Sequence, residues 1–508
     1  MSNVPVTWIT SSRRRLLAVS ALVLTLGTAP TFLRTFVNDD ATYVPVAQKL
    51  NAGGLLYRDA VDNKPPLLYA TFAATFRLLG TSSVAVIKLL TIAVQLGCAG
   101  LLFLIGRRLF ERRVGALAAL FFSLAVVTGV AEDFAAPNTE AYMNLFVLGA
   151  VLVLSRNLER PTRAQLLATG ALLAVATLYR LQGAAAFLGA ILFFMRRRRD
   201  RVAVPMAAAW MGLGFAVPLL SAIGYLAARG TLTDFWIWAV RDNFPYVRLG
   251  AAHFGWRALR RIALVVLCQL PLLVAVIHAG AAWPRLGEAE RIRSDLLWMQ
   301  LFAALVAYQM GSRFYGHYFL QVLPFLALLA AWAYANLPHE RWPWLRLTPH
   351  LLAVWLLGFT VSNGVRLSAT SEGDGFRDAV AFVKSHSGPY DQLFLWSASS
   401  QLTFDSGRIF ATRFPFNNYL TGSIFGTDHA LPSATRETNR ALESADGWRM
   451  LRRDLGASPP AIIIDGGRKG FELWRYPFLH DFVQRLYSPA VRFGTLEVFR
   501  RLPLPVVP

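Results

Sequence analysis

The stretch RRRLLAVSALVLTLGTAPTFLRTFVNDD, Arg13 to Asp40, decides how the rest of the chain is read. Three arginines lead into some twenty mostly apolar residues, and two adjacent carboxylates, Asp39 and Asp40, close them. The stretch is long for a signal peptide and lacks a clean small-x-small cleavage site, so it reads as an uncleaved first membrane span. The rest of the composition agrees. The chain has 508 residues, of which 55% are hydrophobic and only 16% charged, with a mean hydropathy of +0.42. That is more apolar surface than a soluble protein can hide. The net charge of +21 could suit nucleic acid, but the arginines sit in short clusters between apolar runs and not along one polar face, so no nucleic-acid partner is expected. Cys98 and Cys268 both lie inside apolar runs and offer no disulfide framework.

A hydrocarbon core about 30 Å thick needs roughly 20 apolar helical residues. Measured with that ruler, the chain predicts a mainly α, polytopic helix bundle with about eleven transmembrane helices, at 16–37, 83–106, 114–131, 139–155, 164–180, 183–195, 202–227, 261–282, 294–310, 319–336 and 348–366. The fifth and sixth are short. Joined, they would strand Arg180 and Gln182 in mid-membrane at roughly 2.5–3.5 kcal/mol for the arginine, so two spans meeting at a polar apex are expected.

Positive residues in short loops favour the cytoplasm. Arg13-Arg14-Arg15, Arg107-Arg108 with Arg112-Arg113, Arg156-Arg160-Arg163, Arg196 to Arg199 with Arg201, Arg285-Arg291-Arg293 and Arg341-Arg346 fall on one side, which puts the N-terminus in the cytoplasm. The loop from Arg229 to Arg260 is an arginine-bearing exception on the other side. That outer side also receives the first loop (38–82), Glu132 and Asp133, the Arg180 apex, the segment GSRFYGHYF and everything after about Leu367. Residues 1–366 thus read as the membrane domain and 367–508 as a small extracytoplasmic α/β domain, with strands at 391–396, 461–465 and 496–501 and a helix over 471–487.

Two elements of the first outer loop carry the chemistry. Asp39 and Asp40 open apolar, aromatic-rich stretches suited to interfacial helices, and in DNKPPLLY, Asp62 to Tyr69, two prolines force extended or turn geometry directly after Lys64. Taken singly, the acids could be a hydrated helix end and Lys64 a snorkelling side chain; an acid pair and a lysine in one outer loop say more together. DDATY resembles the D-E-x-x-Y pattern after the first span of polyprenyl-phosphate-dependent glycosyltransferases with the C-type membrane fold. NKPPLLY resembles their K-P-P element, and RFYGHYFLQVLP (313–324) resembles a recurrent segment of bacterial members, among them protein O-mannosyltransferase-like enzymes and the lipid A aminoarabinose transferase.

The resemblance implies an integral enzyme of a bacterial inner membrane that moves a single sugar from a polyprenyl phosphate to a glycan, lipid or protein acceptor on the periplasmic face. It implies Asp39 as catalytic base, with Asp40 standing where relatives carry glutamate, so that either acid could serve. It also places Lys64 near the lipid phosphate and Tyr43 at the end of the first motif. The residue types fit that reaction. Departure of a lipid phosphate needs cations to meet its growing charge, and Lys64, Arg180, Arg313 and His317 are the candidates; a carboxylate must take the acceptor proton. A single base without a covalent intermediate implies inversion.

Glu140, Gln182, Tyr315 and Tyr318 complete the expected substrate contacts. A structural ion pair of Arg180 with Glu132, Asp133 or Glu140 is its competing explanation, and an interfacial aromatic belt is that of Arg313 and His317. The same three carboxylates could gather a divalent cation, magnesium or manganese, although no metal-binding spacing demands a cofactor. The loop Arg241 to Trp256 could be a lid or an anchor. A transporter, or a ligase moving a whole glycan from a lipid diphosphate, are the rival readings. A transporter would place its polar groups at the midplane and often show internal repeats.

Overall fold

In the computed structural model the described residues are 12–196, 203–244, 255–338, 341, 343–369, 373, 375–422 and 435–503. A helix stands at each of the eleven apolar segments. They are α1 (Arg13–Thr28), α4 (Val84–Leu109), α5 (Arg112–Val127), α6 (Thr139–Leu154), α7 (Arg163–Tyr179), α8 (Ala185–Arg196), α9 (Ala203–Ala228), α10 (Trp256–Ala282), α11 (Glu288–Gln309), α12 (Leu323–Asn336) and α13 (Thr348–Ala369). Among the described residues, five helices are long and apolar enough to cross a membrane on their own: Arg14–Leu33, Val84–Leu109, Val204–Ala228, Trp256–Arg285 and His350–Ala369. The rest are shorter or carry more charge, so the expected eleven crossings are a statement about helices and not about measured spans.

Burial sorts these helices. α5 and α12 are buried on nearly every side and form the centre of the bundle, as apolar-all-round helices do. On α13, Val354, Leu357, Val361 and Val365 recur every three or four residues and are all exposed. So large a stripe of exposed branched side chains suits lipid and not water. The helical run of α7 breaks at Arg180, whose backbone is extended at φ −157 and ψ 131, and one 3-10 turn, Leu181–Ala184, leads into α8. The polar apex expected between the two short segments is therefore present.

The loop between the first two apolar helices contains α2 (Asp40–Asn51) and α3 (Leu67–Leu79). α3 buries Leu68, Tyr69, Phe72, Ala73 and Phe76 along one face and leaves Leu78 and Leu79 exposed, the division expected of a helix lying in an interface. Its end is fixed by Gly80 in the left-handed region, φ 63. Asn51 Nδ2 donates to Ala73 O at 3.0 Å and ties the two helices together.

Beyond α13 lies a five-stranded sheet of order β2-β1-β3-β5-β4. β1 (Gln392–Trp396) runs parallel to β2 (Ile409–Phe410) and β3 (Ile462–Asp465), while β5 (Leu496–Arg501) runs antiparallel to β3 and to β4 (Tyr487–Phe493). Helices α14 (Phe376–His386), α15 (Ala445–Ala457) and α16 (Pro477–Leu486) accompany it. The three expected strands are present within a residue of their limits. The expected helix over 471–487 is shorter, because Pro477 starts α16 at its first position and Tyr487 already belongs to β4.

Candidate functional site

The two adjacent acids point to different partners. Asp39 sits at the N-cap position of α2, yet its side chain makes no capping bond; instead Tyr43, one turn on, donates its hydroxyl to Asp39 Oδ2 at 2.9 Å. Asp40 is fully buried and turns back on the chain, accepting the backbone N–H of Val37 at 3.1 Å and that of Asn38 at 2.7 Å. Beneath that turn, Lys88 of α4 donates to Thr31 O and Arg34 O, both at 2.6 Å, and so closes the C-terminal end of the first apolar helix.

Asp39 is half-buried. Burial pushes its carboxyl up, but Lys64, then His317, the Tyr43 hydroxyl and Arg180 outweigh it, and the group is held below its ordinary value. Burial also dominates at Asp40, opposed by the N–H groups of Asn38 and Val37 and by Lys88, and that carboxyl is pushed up to about 6. Burial raises the Tyr43 hydroxyl well above its usual value, and the negative charge of Asp39 adds to the effect, so Tyr43 remains a hydrogen-bond donor.

Lys64 reaches the site from a braced loop. Its Nζ donates to Asn63 Oδ1 at 2.7 Å, and Tyr57, held in the left-handed region at φ 69, donates its hydroxyl to Lys64 O at 2.8 Å. Just before it, buried Asp62 accepts the hydroxyls of Tyr69 on α3 and, at 2.8 Å, of Tyr419 beyond the sheet strand β2. Pro45 lies inside α2 and has no N–H for the carbonyl of Ala41. Ser400, just past β1, donates its hydroxyl to that carbonyl. The sheet-bearing part thus completes the hydrogen bonding of the helix that carries Asp39.

The segment before α12 supplies His317. Gly311, Ser312 and Phe314 all lie in the left-handed region, at φ 89, 51 and 50, a strained run of the kind that persists only where its surroundings fix it. A Cβ on Gly316 would stand 2.5 Å from Asp133 Cγ; without one, His317 closes on Asp133, its backbone N–H at 3.2 Å and its Nδ1 at 3.3 Å from Oδ1. Burial lowers the imidazole, but Glu140, Asp133 and Asp39 outweigh it and raise its pKa above the ordinary value. The ring also stacks on Tyr315 at 5.6 Å.

Arg180 is buried and pairs with Glu140 Oε1 at 3.0 Å, donates to Thr139 Oγ1 at 2.9 Å and lies over the Tyr318 ring at 4.3 Å. The ion pair weighed above against a phosphate-binding use of Arg180 is therefore present, with Glu140 as partner.

Of the expected site residues, Asp39, Tyr43, Lys64, Glu140, Arg180, His317 and Tyr318 gather at one end of the bundle. Asp40 faces its own backbone. Arg313 is buried, and its carbonyl accepts from Arg261 at 3.0 Å; Arg261 also covers the Tyr315 ring at 4.2 Å. Gln182 lines a small cavity behind Arg180. Most of the loop Arg241 to Trp256 lies outside the described residues. Glu132, Asp133 and Glu140 diverge to Arg366, His317 and Arg180, and among the described residues no three acidic, histidine or cysteine side chains are grouped to hold a metal ion.

The sequence reading did not single out Asp62, Lys88, Ser400 or Arg261. A lysine five residues into an apolar span was a visible signal for Lys88. Ser400 acts through a partner more than 350 residues away, and Asp62 joins nearby Tyr69 to equally distant Tyr419, so that local sequence reveals neither long-range pairing.

Residues 63–226 match the family model described as dolichyl-phosphate-mannose-protein mannosyltransferase. Among solved structures, ArnT from Cupriavidus metallidurans in the apo state superposes with a TM-score of 0.65 at 15% identity, over 96% of this chain and 97% of that one. The described chain has the C-type membrane glycosyltransferase fold. The same ArnT bound to undecaprenyl phosphate gives a TM-score of 0.63 at 13% identity over 96% and 97% of the two chains. The oligosaccharyltransferase of Archaeoglobus fulgidus in its apo form shares the C-type fold more distantly, with a TM-score of 0.50 at 11% identity over 89% of this chain and 69% of that one. No curated protein matches the chain by sequence.

Proposed function

We propose that the protein is an integral membrane glycosyltransferase that takes one sugar from a polyprenyl phosphate and transfers it, with inversion, to an acceptor on the extracytoplasmic face. The observation that carries this reading is the environment of Asp39, a carboxylate kept ionised by Lys64, His317 and Arg180 in spite of its burial. The acceptor hydroxyl or amine gives its proton to Asp39 as it attacks the anomeric carbon. The bond from that carbon to the phosphate oxygen breaks, and polyprenyl phosphate leaves with the electron pair. Lys64 and His317 meet the charge that builds on the phosphate. Arg180, already neutralised by Glu140, adds less net charge and shapes the wall of the site together with Tyr318.

The clusters of arginine at the other ends of the helices support placing the site outside the cytoplasm, with the part beyond about residue 367 as an extracytoplasmic domain over it. The test is an assay of the purified chain with a panel of polyprenyl-phosphate sugars and an acceptor extract, following release of free polyprenyl phosphate. Release with one donor supports the reading; sugar movement across a proteoliposome membrane without release would replace it with transport.

A further inference from the structure

Each of the three segments that build the ionic layer of the site also carries an amide a few residues further on. Asn144 follows Glu140 by one turn of α6, Gln182 follows Arg180 across the 3-10 turn, and Gln321 follows His317 by four residues. All three line one cavity of about 20 Å³, joined there by Gln300 of α11. That is room for one water or one hydroxyl group. Gln300 and Gln321 are more than nine-tenths buried. Gln300 Nε2 donates to Ala186 O at 3.1 Å, which fixes the orientation of the amide, and its Oε1 has no hydrogen-bond partner. Gln321 Nε2 likewise has none. A buried acceptor and a buried donor left open in one cavity cost free energy until something pairs with them, and a hydroxyl, which donates once and accepts, answers both.

The cavity carries no charge. The acids Glu140 and Asp133 are engaged, with Arg180 and His317, and none of the residues lining the cavity is charged, so an ammonium entering it would be buried without a counter-charge.

We propose that this amide-lined cavity is a donor subsite that takes a neutral hydroxyl of the transferred sugar and selects neutral sugars over amino sugars. This rests on the glycosyltransferase reading above.

The test uses the full-length chain in lipid nanodiscs with polyprenyl phosphates bearing neutral hexoses and bearing a 4-amino-4-deoxypentose, comparing the parent chain with Gln321→Leu, Gln300→Leu and Gln321→Glu. In the parent chain, a neutral donor is expected to be used best. Each leucine variant is expected to lower kcat/KM for that donor by about 10- to 100-fold, with binding of sugar-free polyprenyl phosphate unchanged; Gln321→Leu is expected to retain or raise the melting temperature, whereas Gln300→Leu also loses the bond to Ala186 O and is expected to lower it slightly. Gln321→Glu is expected to lower the ratio of neutral to amino-sugar turnover. An amino-sugar donor preferred by the parent chain, or leucine variants with unaltered kcat/KM and donor ranking, would overturn the subsite and leave the cavity to a structural water. If no donor releases polyprenyl phosphate and sugar-free polyprenyl phosphate does not bind, the glycosyltransferase reading itself falls; binding without the expected selectivity defeats the subsite alone.

Discussion

Asp39 and Asp40 are neighbours in the chain and present their carboxylates to different surroundings, the first to the Tyr43 hydroxyl at 2.9 Å and the second to the backbone N–H of Asn38 at 2.7 Å. Adjacent residues at a helix start diverge by about 100° around the axis, so one acid can face the site while the other secures the turn that delivers it. Asp39→Asn is expected to leave expression and melting temperature unchanged and to reduce turnover by about two orders of magnitude or more, the usual contribution of a positioned base. Near-normal turnover in that variant would reassign the base.

Asp40 makes the opposite prediction, one of stability. Its folded carboxyl is raised to about 6 from an ordinary 3.8, so between those values the folded chain holds a proton that the unfolded chain has lost. By linkage, the contribution of this group to stability is full below pH 3.8 and declines as pH rises towards 6. Across that window this one component lowers the melting temperature as pH rises, and the difference between the parent profile and that of Asp40→Asn should isolate it. A slope that survives the substitution belongs to another group.

The imidazole of His317 is raised by Glu140, Asp133 and Asp39 against the effect of burial, so its cation persists above the ordinary histidine value of 6.5. Turnover that uses this cation is complete below that value and declines as pH climbs through the raised one; the stabilising contact with Asp133 weakens over the same interval. The kcat/KM profile should therefore show an alkaline limb above pH 6.5 that His317→Gln removes while lowering the plateau. An unchanged limb in that variant would take His317 out of the titration.

The buried pair Arg180–Glu140 tests itself by asymmetry. Glu140→Gln leaves Arg180, a residue only 3% exposed, without its counter-charge, and about 3–5 kcal/mol of stability should be lost. The double variant Arg180→Met with Glu140→Leu removes both charges and should recover most of it. Thermal unfolding in detergent reads both values, and a double variant no more stable than Glu140→Gln would contradict the account.

Asp62 joins α3 to the sheet domain by accepting from Tyr69 and Tyr419, two residues before Lys64. Asp62→Asn, in which one of the two hydroxyls loses its acceptor, should cost about 1–3 kcal/mol. It should also raise the KM for donor more than it lowers kcat, because Lys64 loses its brace. An effect confined to kcat would point elsewhere.

The bundle was largely legible because lipid imposes a coarse rule, about twenty apolar residues for each crossing, and chains obey it locally. Even the Arg180 break followed from the cost of leaving a guanidinium at mid-depth. Lys64 and the two acids were legible as a loop signature. The division of labour between the acids was not, since it depends on which side chain meets the N–H groups of Asn38 and Val37. Glu140 was recognised as a partner for Arg180 only as one of three acids, because sequence gives no angle around α6. The sheet domain was read from its apolar strands, whereas β4, mostly exposed after α16, carried no apolar run to mark it, and only its first residue, Tyr487, fell inside the expected helix.

Pro45 has a consequence for how such chains can be rearranged. A helix whose internal carbonyl is answered by Ser400 is not finished by its own half of the polypeptide, so the helix bundle cannot be joined to an arbitrary C-terminal module. Chimeras assembled from chains of the same fold should work only when the incoming module brings a hydroxyl to that spot, and separately expressed halves should need to reassociate before α2 becomes rigid.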